Sequence, residues 1–415
     1  LSSGAACAFV FIALACFATG CEWQAAKPKQ PLPLIEVTSP PQANLVDGCV
    51  ANFHESVDYF PERTTFRHSS QLSVAYERNY KRITFRPAIA TDEAVEILLV
   101  QCGTPVPPHG PNSVVVSVPV TRIASASSAM LGAAAELGVV DRFVGLSDPR
   151  KVTVPAFQER IRQGAIASMG GHGHGNIEPI IGADPDVYFT FYSAYPQYNI
   201  HPRLWSMGIR AVPHADSVEA TPLGRAEWIK LLALLTNTEA RANQAFDQVE
   251  RAYLEAARIV SASIDRPTVL AGTASQRDVM ELFGGANHRA ALIRDAGGRF
   301  VLENDRFPGS WLITPFERVY AAGADAAYWI GTRPGIQTVG ALIAANPHHR
   351  WFEAAVGNGD VYALDLGYRG MFAYHLEDQG MNNPHRQLVE IAAILQPQLA
   401  DRLDVAHPLF VRKLK

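Results

Sequence analysis

The 415-residue chain carries 36 Lys and Arg against 40 Asp and Glu, a formal net charge of −4, with 48% hydrophobic residues. That near-balance, without a run of Lys or Arg, argues against a nucleic-acid footprint. The length suits two or three domains, and no cysteine spacing matches a zinc site.

Residues 1–20 hold no charged side chain, and 5–18 are almost wholly apolar. Such a run is too short to anchor stably across a bilayer but has the length of a signal-peptide core. Ala18-Thr19-Gly20-Cys21 follows, small residues before a cysteine. This predicts lipidation of Cys21 after cleavage; the alternative is an ordinary secretory cut near Ala18 or Gly20. Either way the mature protein is exported. Residues 21–48 read as a tether, with Pro28, Pro31, Pro33, Pro40 and Pro41 favouring an extended spacer. Cys7 and Cys16 leave with the signal. Cys49 and Cys102 then form an even pair in an oxidising compartment, for which a disulfide is the default and two buried thiols the alternative.

Residues 49–113 read as a β-rich preface. Segments 72–76 and 80–85 alternate apolar and polar residues like half-buried strands, and 96–101 is a third. The preface is expected to pair onto a first α/β lobe, 114–220, rather than fold alone. In that lobe 122–125 ends a strand, 127–137 is a helix closed by Gly138, and 142–145 is a second strand. Linker helices span 221–264: Thr221 can cap with Pro222 at the first helical position, Asn237 recaps, and Phe246, Val249, Tyr253 and Val260 keep a 3/4 spacing to Ser263. A helix of that length is a stiff strut, which predicts little lobe movement on binding. The second lobe, 265–415, has a strand at 268–271 and helices near 289–296 and 387–395. The unit Gly182-Ala183-Asp184-Pro185-Asp186-Val187 of the first lobe returns in the second as Gly323-Ala324-Asp325-Ala326-Ala327-Tyr328. A glycine ending a helix, an Asp in the turn and then a strand, met twice, predicts two Rossmann-like lobes around a cleft.

Candidate chemistry sits in loops. His172 and His174 stand in a glycine loop, 170–175, where two imidazoles can ligate a metal, contact a ligand or simply be solvated. Tyr192, Tyr195 and Tyr198 offer flat faces to a bulky ligand where strand ends gather ligands, or else pack against Pro196 and Pro202. Arg277 and Arg369 can clamp oxyanions or form surface ion pairs; Trp311 and Tyr374 complete the candidate ligand set. There is no G-x-S-x-G, no H-E-x-x-H and no P-loop lysine, so the residues favour binding over turnover and no cofactor is expected.

The motifs 122–125 with Leu137-Gly138, Asp141-Arg142-Phe143-Val144-Gly145-Leu146-Ser147, Ala183-Asp184-Pro185-Asp186-Val187, and Trp351 with Asn358-Gly359-Asp360-Val361-Tyr362-Ala363 together resemble solute-binding proteins of ABC importers. The resemblance covers about 114–400 and lies with the helix-linked class that delivers iron–siderophore complexes, haem or cobalamin. Val100-Gln101-Cys102-Gly103 and Thr221-Pro222-Leu223-Gly224 further resemble a prokaryotic subgroup with a β preface. The resemblance implies a tethered receptor, periplasmic or cell-surface, that captures an iron complex, with a ferric siderophore leading and cobalamin, haem or bare metal open. Its partner would be a permease in the cytoplasmic membrane. It also implies docking through one surface Glu per lobe. Glu317 matches the second-lobe position, whereas Gly132 occupies the first-lobe one with Glu136 a turn on. The competing class is a two-lobed enzyme such as a metal chelatase.

Overall fold

The computed structural model describes residues 29–88, 93–170, 176–276, 278–370, 373–405 and 407–415. The signal segment, Cys21, His172, His174 and Arg277 lie outside the described residues. Among those described, no helix is long and apolar enough to cross a membrane.

Two parallel sheets form the two lobes. In the first, strands run in the spatial order Ala211–His214, Val187–Phe191, Ile123–Ser125, Phe143–Leu146, Ala167–Ser168. In chain order that is 3-2-1-4-5 read from one edge. The second lobe orders Arg299–Phe300, Thr268–Leu270, Tyr328–Ile330, Val361–Ala363 and an antiparallel Arg412–Lys413, a 2-1-3-4-5 arrangement. A small antiparallel sheet, Thr273–Gln276, Val279–Leu282 and Leu312–Pro315, is set into the second lobe. The lobes share a kind of build but differ in strand order.

The repeated unit is helix-then-strand in both places, Ile177–Ala183 with Val187–Phe191 and Phe316–Gly323 with Tyr328–Ile330. The glycines, however, do not end the helices by left-handed turns. In the first copy Asp184 takes that conformation, at φ 44°, and Gly182 stays helical. In the second, Gly323 has no positive φ; a Cβ there would come within 2.6 Å of Val301, so close packing asks for the glycine. Asn237 is likewise corrected. At φ 58° it ends helix Ile229–Thr236 instead of opening the next one, which Thr238 precedes.

The preface strands Leu72–Tyr76, Tyr80–Phe85 and Val95–Gln101 pair antiparallel. Val114–Val118, expected to open the first lobe, instead pairs in parallel with Val95–Gln101 and closes the preface sheet. Of the expected tether, residues 29–48 are not an extended spacer. Leu34–Ile35 pairs with Cys49–Val50, and Lys29 is ion-paired to Asp186 beside the first-lobe sheet. Cys49 is disulfide-bonded to Cys102, which fastens that segment to the end of a preface strand.

The preface has no separate large core. Phe60, Ile83, Phe85 and Ile97 pack in one cluster with first-lobe Ile123, Phe143 and Phe189 and with Trp228, Leu232 and Phe246 of the linker. The 23-residue helix Glu239–Ser261 is about 34 Å long at 1.5 Å per residue. Its first half, with Ala242 and Phe246, belongs to that core; its second half, with Tyr253, Ala256 and Val260, belongs to the core of the second lobe. One helix thus joins the two cores.

Candidate functional site

In an open α/β sheet ligands gather where the strand order reverses, outside the carboxyl ends of the strands. In the second lobe that point falls between Thr268–Leu270 and Tyr328–Ile330, and a cleft of about 490 Å³ opens there. Gly272, Arg289, Trp311, Thr332, Arg333 and Tyr374 are among its lining residues. Gly272, at φ +83°, turns the chain from the first strand into the small sheet; a Cβ would meet the Glu281 carbonyl oxygen at 2.1 Å. Its carbonyl accepts a hydrogen bond from Trp329 Nε1 at 2.9 Å, which fixes the bend.

The next residues are held from behind by His349, which is fully buried. Its Nε2 accepts from the Ala274 N–H at 2.9 Å while Nδ1 lies 2.8 Å from the Leu342 carbonyl oxygen, a pattern that the neutral Nδ1–H tautomer satisfies. Burial pulls its pKa down in the same direction.

Arg289 stands at the start of helix His288–Asp295, where Asn287 Oδ1 accepts its backbone N–H at 3.1 Å. Its half-buried guanidinium has no hydrogen-bond or ion-pair partner among the described residues. Burial, then the like charge of Arg225, pulls its pKa down. Glu377, Tyr374 and Asp216 oppose that shift, although each carboxylate is hydrogen-bonded to another side chain. Asp216 is held by Arg225 Nε at 2.9 Å and lies 3.0 Å from His214 Nδ1, and Glu377 accepts from Tyr374 Oη at 2.8 Å. Burial and then Glu377 push the Tyr374 hydroxyl well above the usual phenol range. Thr332, 4% exposed, has a buried hydroxyl without a partner among the described residues. The cleft wall therefore presents donors with unmet capacity.

The first lobe comes against one lining residue, Trp311, through its tyrosine loop. Tyr195 lies 6.2 Å from Trp311, 5.3 Å from Phe307 and 6.3 Å from Tyr198, ring centre to ring centre. Trp311 is 44% exposed, so an aromatic mouth joins the lobes. Tyr192 is not part of it. It is fully buried and packs edge-on against Phe85 of the preface at 5.4 Å, making it a core residue. Arg369 is exposed on a loop and is not among the lining residues. Of the residues singled out in the sequence, the structure gathers Tyr195, Tyr198, Trp311 and Tyr374. Arg289, Thr332 and Gly272 escaped sequence reasoning, although Asn287 directly ahead of a helical run marks where Arg289 would be positioned.

On the other flank the lobes are bonded. The buried Asp378 carboxylate accepts from Thr153 Oγ1 at 2.6 Å and from the Val154 N–H at 3.2 Å. Gly132 packs there too; a Cβ would fall 2.6 Å from Asn382 Oδ1 and 3.0 Å from the Asp378 carbonyl oxygen, leaving no room for a glutamate. Glu136 is exposed but lines a groove beside the linker, with Phe246 and Val249. Glu317 is exposed in the first turn of its helix. A larger groove of about 820 Å³ runs between the preface edge at Val114 and the flank of helix His201–Ser206. No carboxyl strand end of either lobe lines it, so the smaller cleft is the better candidate. Among the described residues no group of three His, Cys, Asp or Glu side chains is placed to hold a metal.

A family model described as "Periplasmic binding protein" matches residues 123–366. An uncharacterized lipoprotein of Methanocaldococcus jannaschii is 25% identical over 297 residues, covering 70% of this chain and 68% of its own length. Among solved structures, a periplasmic heme binding protein from Pseudomonas aeruginosa aligns at TM-score 0.54 and 16% identity, over 71% of this chain and 98% of its own. CeuE of Helicobacter pylori with Ni(II) bound aligns at TM-score 0.53 and 16% identity, over 70% and 88%. At such identity these structures speak for the fold alone.

Proposed function

The chain belongs to the periplasmic binding protein family, in its helix-linked class, and on that premise we propose that it is the extracytoplasmic receptor of an ABC importer. It captures a metal complex between its lobes and hands it to a permease. One observation carries the placement: the second-lobe switch point opens into a cleft lined by Trp311, and the first lobe sets Tyr195 against that ring. A ligand with flat, apolar surface fits that opening. A ferric siderophore is the leading ligand, with haem, cobalamin and a bare metal ion as the alternatives. The structural relatives, a heme binding protein and a protein with Ni(II) bound, support a metal-type cargo. The chain is further proposed to be a lipoprotein anchored through Cys21, a reading supported by the name of its archaeal relative. Glu317 is the proposed docking residue of the second lobe. Glu136 is the weaker candidate of the first, because it faces the linker groove.

Equilibrium titration of the full chain with a ferric siderophore, haem, cobalamin and Ni(II) tests this reading. It expects one of these to bind with one-to-one stoichiometry and to be lost in Trp311→Ala. Turnover of a bound complex without release, or no binding by any of the four, contradicts it.

A further inference from the structure

Exposed aliphatic side chains are ordinary when scattered and informative when they share a face. The face in point holds the amino ends of the strands of both lobes, away from the cleft. Helix Ile177–Ala183 leads into the start of strand Val187–Phe191, and helix His201–Ser206 into the start of Ala211–His214, so the last turns of both helices lie there. The linker lies there too. Val120, just ahead of the first lobe's strand Ile123–Ser125, donates its N–H to the Leu235 carbonyl at 2.8 Å. At its other end the long helix closes at Ser261, shortly before Thr268 opens the first strand of the second lobe. Ile181, Met207 and Ile264 project from these places, Ile264 with 94% of its surface exposed. Leu34, 72% exposed, shares a groove with Thr121 and Asp186, again at strand amino ends. The exposed rings Trp311 and Tyr368 are on the cleft side, Tyr368 just beyond the carboxyl end of strand Val361–Ala363.

From this we propose that the strand-amino-end face rests on a lipid bilayer, with Ile181, Met207 and Ile264 entering the boundary between headgroups and acyl chains and the cleft facing away. The inference rests on the reading of Cys21 as a lipid anchor and deepens it. Lys29 is ion-paired to Asp186 on this face and stands eight residues after Cys21. Eight residues reach about 27 Å at full extension, so an acylated Cys21 keeps this face, rather than the cleft, next to the membrane. Arg210, Arg266 and Arg299 are exposed here, but so are Asp265 and Glu303. With both signs present the attraction is aliphatic, and zwitterionic lipid suffices.

The test uses phosphatidylcholine vesicles. In the acylated protein, an environment-sensitive dye on Ile264→Cys is expected to shift to the blue and to be quenched by nitroxide-labelled lipid, whereas the same dye on Tyr368→Cys shows neither. The mature chain with Cys21→Ser, which carries no acyl group, should still sediment with the vesicles at low and high salt. Combining Ile181→Ser, Met207→Ser and Ile264→Ser should weaken that binding about tenfold or more, and Tyr368→Ser should leave it unchanged. These side chains are exposed, so the melting curve of the triple variant should match wild type. Equal dye signals at the two positions, a signal at Tyr368→Cys alone, no sedimentation of the unacylated chain, or binding that survives the triple change overturns the proposal. The intact mass of the membrane-extracted protein separates this result from the anchor reading. An acylated Cys21 with no dye shift at position 264 keeps the anchor and sinks the surface; an unmodified Cys21 with vesicle binding that the triple variant loses keeps the surface and removes the anchor.

Discussion

Lys81 and Arg289 are both basic side chains drawn out of water, and the protein treats them in opposite ways. Lys81, on the inward face of a preface strand, is 0% exposed, and each of its three donors has a partner: the Leu234 carbonyl at 2.8 Å, Asn237 Oδ1 at 2.7 Å, and the Glu239 carboxylate. Asn44 Nδ2 fills a remaining acceptor of Glu239 at 2.9 Å. Nearby, Glu227 accepts from the N–H groups of Arg67, His68 and Ser69 and from Lys230. That junction between preface and linker is a closed account of charge and hydrogen bonds. The cleft wall at Arg289 is open. Saturation marks a structural weld and unmet capacity marks a place for a ligand.

The strongest way to break the comparison is at the weld. Lys81→Met removes one partner of a buried pair and leaves Glu239 uncompensated. Unfolding in denaturant should show a loss of about 3–5 kcal/mol, an unchanged value being contrary to the weld. Reducing or replacing the Cys49–Cys102 bond should cost less, about 2–4 kcal/mol, given its sequence separation of 53 residues. That change should loosen the segment from 29 to 50 ahead of the cores, which limited proteolysis can detect.

Acid should act next. Burial lowers the pKa of His349, and burial with Arg386 lowers His385 to about 4. The unfolded chain, with histidines near 6.5, then takes up protons before the folded one does. Stability contributed by these groups is complete above about pH 6.5 and is lost as pH falls toward the folded values. Melting curves from pH 7 to pH 4 should decline accordingly, and His385→Gln should flatten part of the decline. The smallest stability effect is expected at the cleft. Arg289→Met should leave the melting temperature equal to wild type or slightly raised, because the guanidinium removed makes no hydrogen bond among the described residues and its burial cost goes with it. A loss as large as that of Lys81→Met would make Arg289 a structural residue and erase the contrast.

The elements were largely legible in the sequence, and their partners were not. Alternation marks Leu72–Tyr76 and Tyr80–Phe85 as strands, and Gly138 ends its helix in a left-handed conformation at φ 68°. The Val-rich run at 114–118 announces a buried strand but says nothing about which sheet takes it, since pairing is a long-range choice. Tyr192 had the loop position of a ligand contact; only the fold reveals that Phe85, more than a hundred residues earlier in the chain, covers it. Arg289 sits in a helix of ordinary composition, and nothing local distinguishes an arginine facing a cleft from one facing solvent. Whether an arginine has a counter-charge depends on Asp216, Arg225 and Glu377, which come from three other segments.

Hydrogen–deuterium exchange, with and without the tightest-binding complex of the ferric, haem, cobalamin and nickel panel, tests the placement of the site most directly. Protection should concentrate at residues 272–275, 307–312 and 331–334 of the second lobe and at 193–199 of the first. Protection along 201–210 and 111–115 instead, with the strand-end cleft unchanged, would put the ligand in the larger groove and contradict the account.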